Sequence, residues 1–246
     1  MGENIKTNIN SLLAISAYFN VLEDDNLIVP MINSLIKIAD TNLLANLDVC
    51  CTLIKYLLCW KVREIERSSV KDFDVSSSNC KKCATTYYSY LMNLISFENK
   101  QVRRITFTHT TDLLILICSK HDNFQEKYLY VKIKNHELNK ITEICCANII
   151  KTNDNNIMFD DNEEFENGKI IFRAFCKLIQ NKILPMRCLA PFLRVYLKNL
   201  IYDEIFKETL NICFDTNRIN VGKLISLTMQ LEISDAVHLY TNIFAK

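Results

Sequence analysis

The chain has 246 residues, 49% of them hydrophobic, and its 29 basic and 28 acidic side chains leave a formal charge of +1. That suits one large or two small folded domains and removes any global field toward nucleic acid or anionic membrane, so such binding has to come from local patches. Only three glycines are present, Gly2, Gly168 and Gly222, which excludes the dinucleotide fingerprint, the P-loop, the kinase phosphate flap and the hydrolase nucleophile elbow, since each needs glycines a few residues apart.

Residues 5–21 carry apolar side chains at helical spacing, and a second helix is expected over 26–39, with the acidic Glu23, Asp24 and Asp25 before it and Pro30 in its first turns. Asp40 or Thr41 can cap a long helix to about Arg67, apolar on most sides and therefore central to a bundle. Asn46, Asp48, Lys55 and Lys61 interrupt this stretch and would be costly in hydrocarbon. With no basic-then-apolar leader at the N-terminus, a soluble cytoplasmic protein is expected. The polar, serine-rich 68–79 reads as a loop, and Asn79 as the cap of a helix over 80–98.

The pattern then changes. Ile105, Phe107 and His109 alternate with Thr106 and Thr108, 113–118 is a continuous apolar run, and 128–133 alternates again. This predicts a three-stranded antiparallel β-meander over about 102–134. A helix over 136–150, capped by Asn135, follows. Residues 151–168 hold six acidic side chains against one basic and read as an acidic loop or linker. Helical spacing returns over 169–246, with Pro185 and Pro191 as breaks, Ser234 as a cap, and eleven basic against six acidic residues. The expected fold is mostly α: a helical domain over 1–150 with the meander inserted, the linker over 151–168, and a helical module over 169–246.

Eleven cysteines are present, mostly in apolar periodic segments, where thiols act as small hydrophobes; no disulfide framework is implied. Cys80-Lys81-Lys82-Cys83 has metal-ligand or redox spacing, and at the start of a helix the dipole and two lysines would favour a thiolate at Cys80. For structural zinc, the sequence-adjacent pair Cys118 and His121 falls at the wrong end of a meander. His109 and His136 return toward Cys83, so the expected ligands are Cys80, Cys83, His109 and His136. The plain alternative is a helix-start cysteine pair beside ordinary polar histidines.

Lys169, Arg173 and Lys177 recur every four residues and stack on one helix face, and Arg194 and Lys198 continue the basic bias. Residues 61–104 hold a second basic cluster that includes Arg103 and Arg104. These seven are the expected phosphate contacts. The expected function is a non-catalytic binding or regulatory factor that docks onto a large cytoplasmic protein or ribonucleoprotein assembly, the ribosome and its rRNA first, by occupying a surface. No membrane, small-molecule substrate or cofactor beyond structural zinc is expected. The alternatives are a protein-only scaffold or adaptor subunit and a thiol–disulfide enzyme at Cys80 and Cys83.

Overall fold

A computed structural model of the protein describes residues 25–67, 73–118, 133–150, 162–193, 203–216, 225–226 and 228–230. They fall into two compact units, 1–132 and 133–246. The helix expected over 5–21, the second half of the expected meander, and Ser234 lie outside the described residues.

In the first unit, α1 (Asp25–Thr41), α2 (Leu43–Arg67), α3 (Phe73–Leu94) and α4 (Lys100–Cys118) follow in order. The α2 and α3 helices pack on each other and on both α1 and α4. Only Asn42 separates α1 from α2, so the chain must reverse there. The Asn42 side chain accepts a hydrogen bond from the Ala45 N–H at 3.2 Å, capping α2. The Asn46 amide donates to the Ile38 carbonyl at 3.2 Å and to Thr41 Oγ1 at 3.1 Å, closing the corner. Further along, the Tyr87 hydroxyl of α3 donates to the Cys51 carbonyl of α2 at 3.3 Å, and that of Tyr90 to Asp40 Oδ1 at 2.9 Å. Tyr90, further along α3, meets the end of α1 just before α2 begins, and Tyr87, earlier on α3, meets Cys51 within α2, so α3 runs against α2.

Leu43–Arg63 is long and apolar enough, by length and composition, to cross a membrane. One side of it faces protein: Leu47, Cys50, Cys51, Ile54, Leu57, Leu58 and Val62 are buried in the bundle, while Leu44, Tyr56 and Trp60 are exposed. Burying each larger aliphatic side chain stabilises by about 1.5–3 kcal/mol, which is what ties α2 to its neighbours.

The expected β-meander is not present: residues 102–118 are helical, and no strand occurs among the described residues. The same segment carries a second, longer period, with Val102, Ile105, Thr106, His109, Thr110, Leu113, Leu114 and Ile117 buried at alternating steps of three and one. Threonine is the reason that period is hard to see. In the helix, the half-buried Thr108 hydroxyl donates to the Arg104 carbonyl at 3.0 Å and that of the buried Thr110 to the Thr106 carbonyl at 2.8 Å, so a helix accommodates these β-branched polar residues, while the buried Thr106 hydroxyl has no hydrogen-bond partner among the described residues. Asn99 fixes the start of α4 by accepting from the N–H groups of Gln101 at 2.9 Å and Val102 at 3.1 Å.

The described part of the second unit contains α5 (Asn135–Ile150), α6 (Asn162–Gln180), a 3-10 turn (Met186–Leu189) and α7 (Asp203–Thr216). Lys134, rather than Asn135, caps α5: its N–H donates to Glu137 Oε2 at 2.9 Å, one half of a capping box. The α6 helix begins within the expected acidic linker, so 162–168 are helical. It packs against α5 and α7 around a phenylalanine core. The ring of Phe172 lies 5.3 Å from Phe192 and 5.8 Å from Phe206, and Phe175 lies 5.0 Å from Phe192. All four are 2% exposed or less.

Candidate functional site

The α6 helix places Ile171, Phe172, Phe175, Leu178 and Ile179 in the core, and this fixes what its other side presents. Arg173 and Lys177 are exposed there and form no ion pair among the described residues. Lys169 continues the row, about 12 Å from Lys177 at 1.5 Å per residue; its Nζ lies 3.7 Å from Glu166 Oε1 in a half-exposed pair. Such a pair is worth little in water, so the row stays positive and open to a stronger anion. Arg194 and Lys198 lie outside the described residues.

In the first unit, Arg103 and Arg104 stand one turn into α4, both partly buried and without an ion pair among the described residues. Here positive side chains sit at the positive end of the helix dipole, an arrangement that costs energy until an anion arrives. Next to this end, a cavity of about 690 Å³ opens at the α3–α4 turn, lined by Asn93, Ser96, Phe97, Glu98 and Asn99. Glu98 partly offsets the positive charge around it.

Of the candidate zinc ligands, Cys80, Cys83 and His109 belong to the first unit and His136 to the second. Because α3 starts at Phe73, Cys80 and Cys83 lie in its interior, 0% and 2% exposed, and not at its N-terminus. His109 is buried on α4 with Nε2 3.0 Å from Asp48 Oδ1, and its Nδ1 has no hydrogen-bond partner among the described residues. His136 is exposed and belongs to the second unit. No group of three or more His, Cys, Asp or Glu side chains placed to hold a metal occurs among the described residues.

The ten cysteines whose side chains are described are free thiols. Burial pushes Cys83 up to about 11, only weakly opposed by Lys82, and does the same to Cys50, while it lifts Cys51 to about 12. In the second unit, burial raises Cys145 well above the usual range. Cys188 is also raised by burial, against a hydrogen bond from Thr142 and the nearby Arg187. Thiols in this state are poor nucleophiles at neutral pH.

Three features escape the spacing arguments. Lys55 Nζ meets Asp112 Oδ2 at 2.6 Å, joining α2 to α4; this hydrogen bond raises the ammonium pKa, with partial burial opposing it. The order of the pairs Asp48–His109 and Lys55–Asp112 shows that α2 and α4 run parallel. Tyr56 and Trp60 point outward from α2. A helix apolar on most sides carries no sequence signal for this last feature, because its exposed side is set by the faces its neighbours cover. In comparisons with known proteins, no family model matches the chain and no curated protein matches it.

Proposed function

We propose that the protein is a non-catalytic helical binding factor of the cytoplasm that docks onto a ribonucleoprotein, the ribosome being the first candidate, and acts by occupying a surface. The observation that carries this reading is the α6 row, in which Arg173 and Lys177 are exposed without an acidic partner among the described residues, on a helix anchored by the phenylalanine core. A rigid helix presenting three cations over about 12 Å matches a row of phosphates better than one small anion. Arg103 and Arg104 supply a second, separate contact.

The test is binding of the purified chain to ribosomes and to total RNA as a function of salt. Phosphate binding makes log K fall linearly with log salt, and the slope shrinks by roughly 0.7–0.9 for each phosphate the protein no longer neutralises. Arg173→Glu with Lys177→Glu should weaken binding and flatten that slope; unchanged binding removes the proposal. The second reading is a protein-only scaffold, favoured by the exposed apolar side chains of Ile212, Ile225 and Met229 in the second unit. Binding to a protein partner that is insensitive to both salt and nuclease would select it.

A further inference from the structure

The outward face of α2 carries a stripe that lies mostly outside the core, with Asp48 at its edge also reaching the buried His109 of α4. Asp48, Thr52, Tyr56, Trp60 and Arg63 follow at steps of four, four, four and three residues, within an arc of about 120° on a helix. Tyr56 is 62% exposed and Trp60 37%, the Asp48 side chain 67%. Arg63 is also exposed and makes no ion pair among the described residues. The Lys61 Nζ lies over the Trp60 ring, 5.7 Å from its centroid. Two neighbouring aromatics fixed on a surface, with an acid at one end and a base at the other, have the composition of an interface centre and its rim.

The order along the stripe identifies the occupant. Tyr56 sits at the midpoint between Asp48 and Arg63. If a second copy of α2 lies antiparallel, related by a two-fold axis at Tyr56, each Asp48 faces the other copy's Arg63. To within one residue, each Trp60 then lies over the small Thr52, and the two Tyr56 rings meet at the axis. Every pairing occurs twice, as an isologous contact requires. A parallel two-fold would instead set Asp48 against Asp48 and Arg63 against Arg63, which like charges disfavour. We propose that this stripe is a homodimer interface, through which two copies of the chain associate along antiparallel α2 helices. At about 22 Å long, the stripe covers well under the roughly 800 Å² per partner of a standard interface, so the dimer is weak and forms at micromolar concentrations.

Sedimentation of the full chain over a micromolar concentration series tests this independently of RNA binding through α6. The wild type should show a monomer–dimer equilibrium. Asp48→Arg and Arg63→Asp should each weaken it by about ten- to hundredfold, since each turns two attractive pairs into two repulsive ones. Mixed in equal amounts, the two variants should recover wild-type association as a heterodimer, because both cross-pairs are then opposite in charge. Asp48 also meets His109, so helicity of that variant is checked first. If it fails to fold, Arg63→Asp and Tyr56→Lys must each weaken the dimer by at least about tenfold on their own. A wild type that stays monomeric, one that assembles beyond a dimer, a dimer not weakened by Arg63→Asp and Tyr56→Lys, or folded charge variants that do not recover on mixing would each overturn the proposal.

Discussion

Replacing Lys182 by glycine should make the protein more stable. Among the described residues, Lys182 is the one non-glycine residue with positive φ, at 60°. It terminates α6: its N–H donates to the Ile179 carbonyl at 3.0 Å, and the Ile183 N–H to the Leu178 carbonyl at 2.9 Å. Those two bonds define a Schellman ending, whose left-handed position is usually glycine. A side chain with a Cβ costs roughly 1–2 kcal/mol in that conformation, while glycine gives back about 0.5–1 kcal/mol through its freer unfolded chain. The difference predicts that Lys182→Gly stabilises by about 0.5–1 kcal/mol. For a unit of this size, that raises the melting temperature by about 2–5 °C. Lys182→Ala keeps the Cβ and should change stability little, which separates backbone strain from removal of the exposed charge. Calorimetry and urea unfolding of the full chain are the assays. A glycine variant no more stable than wild type, or an alanine variant stabilised equally, refutes the reasoning.

Phe175→Ala should be far more damaging, because Phe175 is 0% exposed and its ring rests on Phe192; a cost of about 3–5 kcal/mol in urea unfolding is expected, and a loss below about 1 kcal/mol would mean that the core is not packed as described. Tyr87→Phe removes the hydroxyl that bonds the Cys51 carbonyl inside the first unit. It should cost about 1 kcal/mol at neutral pH, against which an unchanged urea midpoint would count. Stability should also fall in alkali. Burial raises Cys50 and Cys83 from 9.0 to about 11 and Cys51 to about 12, so the unfolded chain ionises first. The thiols' contribution is complete below about pH 9 and is lost as pH rises through about 11. Urea midpoints that stay level from about pH 8 to about pH 10.5 would contradict this.

Helices with a strong core stripe are legible from sequence. The long run from Leu43 to Arg67, the α1 helix around Pro30 and the α5 helix over 135–150 all show their period plainly, and only their caps shift by a residue or two. The α4 helix reads as strand because the five residues 105–109 satisfy a period of two as well as they satisfy helical spacing. Local β-branching then outweighs a longer pattern that becomes decisive only when threonine is allowed to be buried. The α3 helix is cut short in sequence for a related reason: Ser76, Ser77, Ser78 and Asn79 look like a loop, yet they lie inside the helix. That difference moves Cys80 and Cys83 from a helix start to a helix interior and removes the reactivity their burial opposes. The α6 basic row is legible because spacing alone fixes which residues share a helix face. The α2 aromatic stripe is not, because its exposure depends on which faces α1, α3 and α4 occupy.

The distribution of buried thiols has a practical consequence. Cys50, Cys51, Cys80 and Cys83 are sealed in the first unit, and Cys145 and Cys176 in the second, each 2% exposed or less. An alkylating reagent needs a solvent-accessible thiolate, so each of these sulfurs waits for its own surroundings to open. Timed labelling read peptide by peptide in a mass spectrometer would therefore follow the breathing of each unit separately. The unaltered chain already contains the reporters such an experiment normally has to introduce.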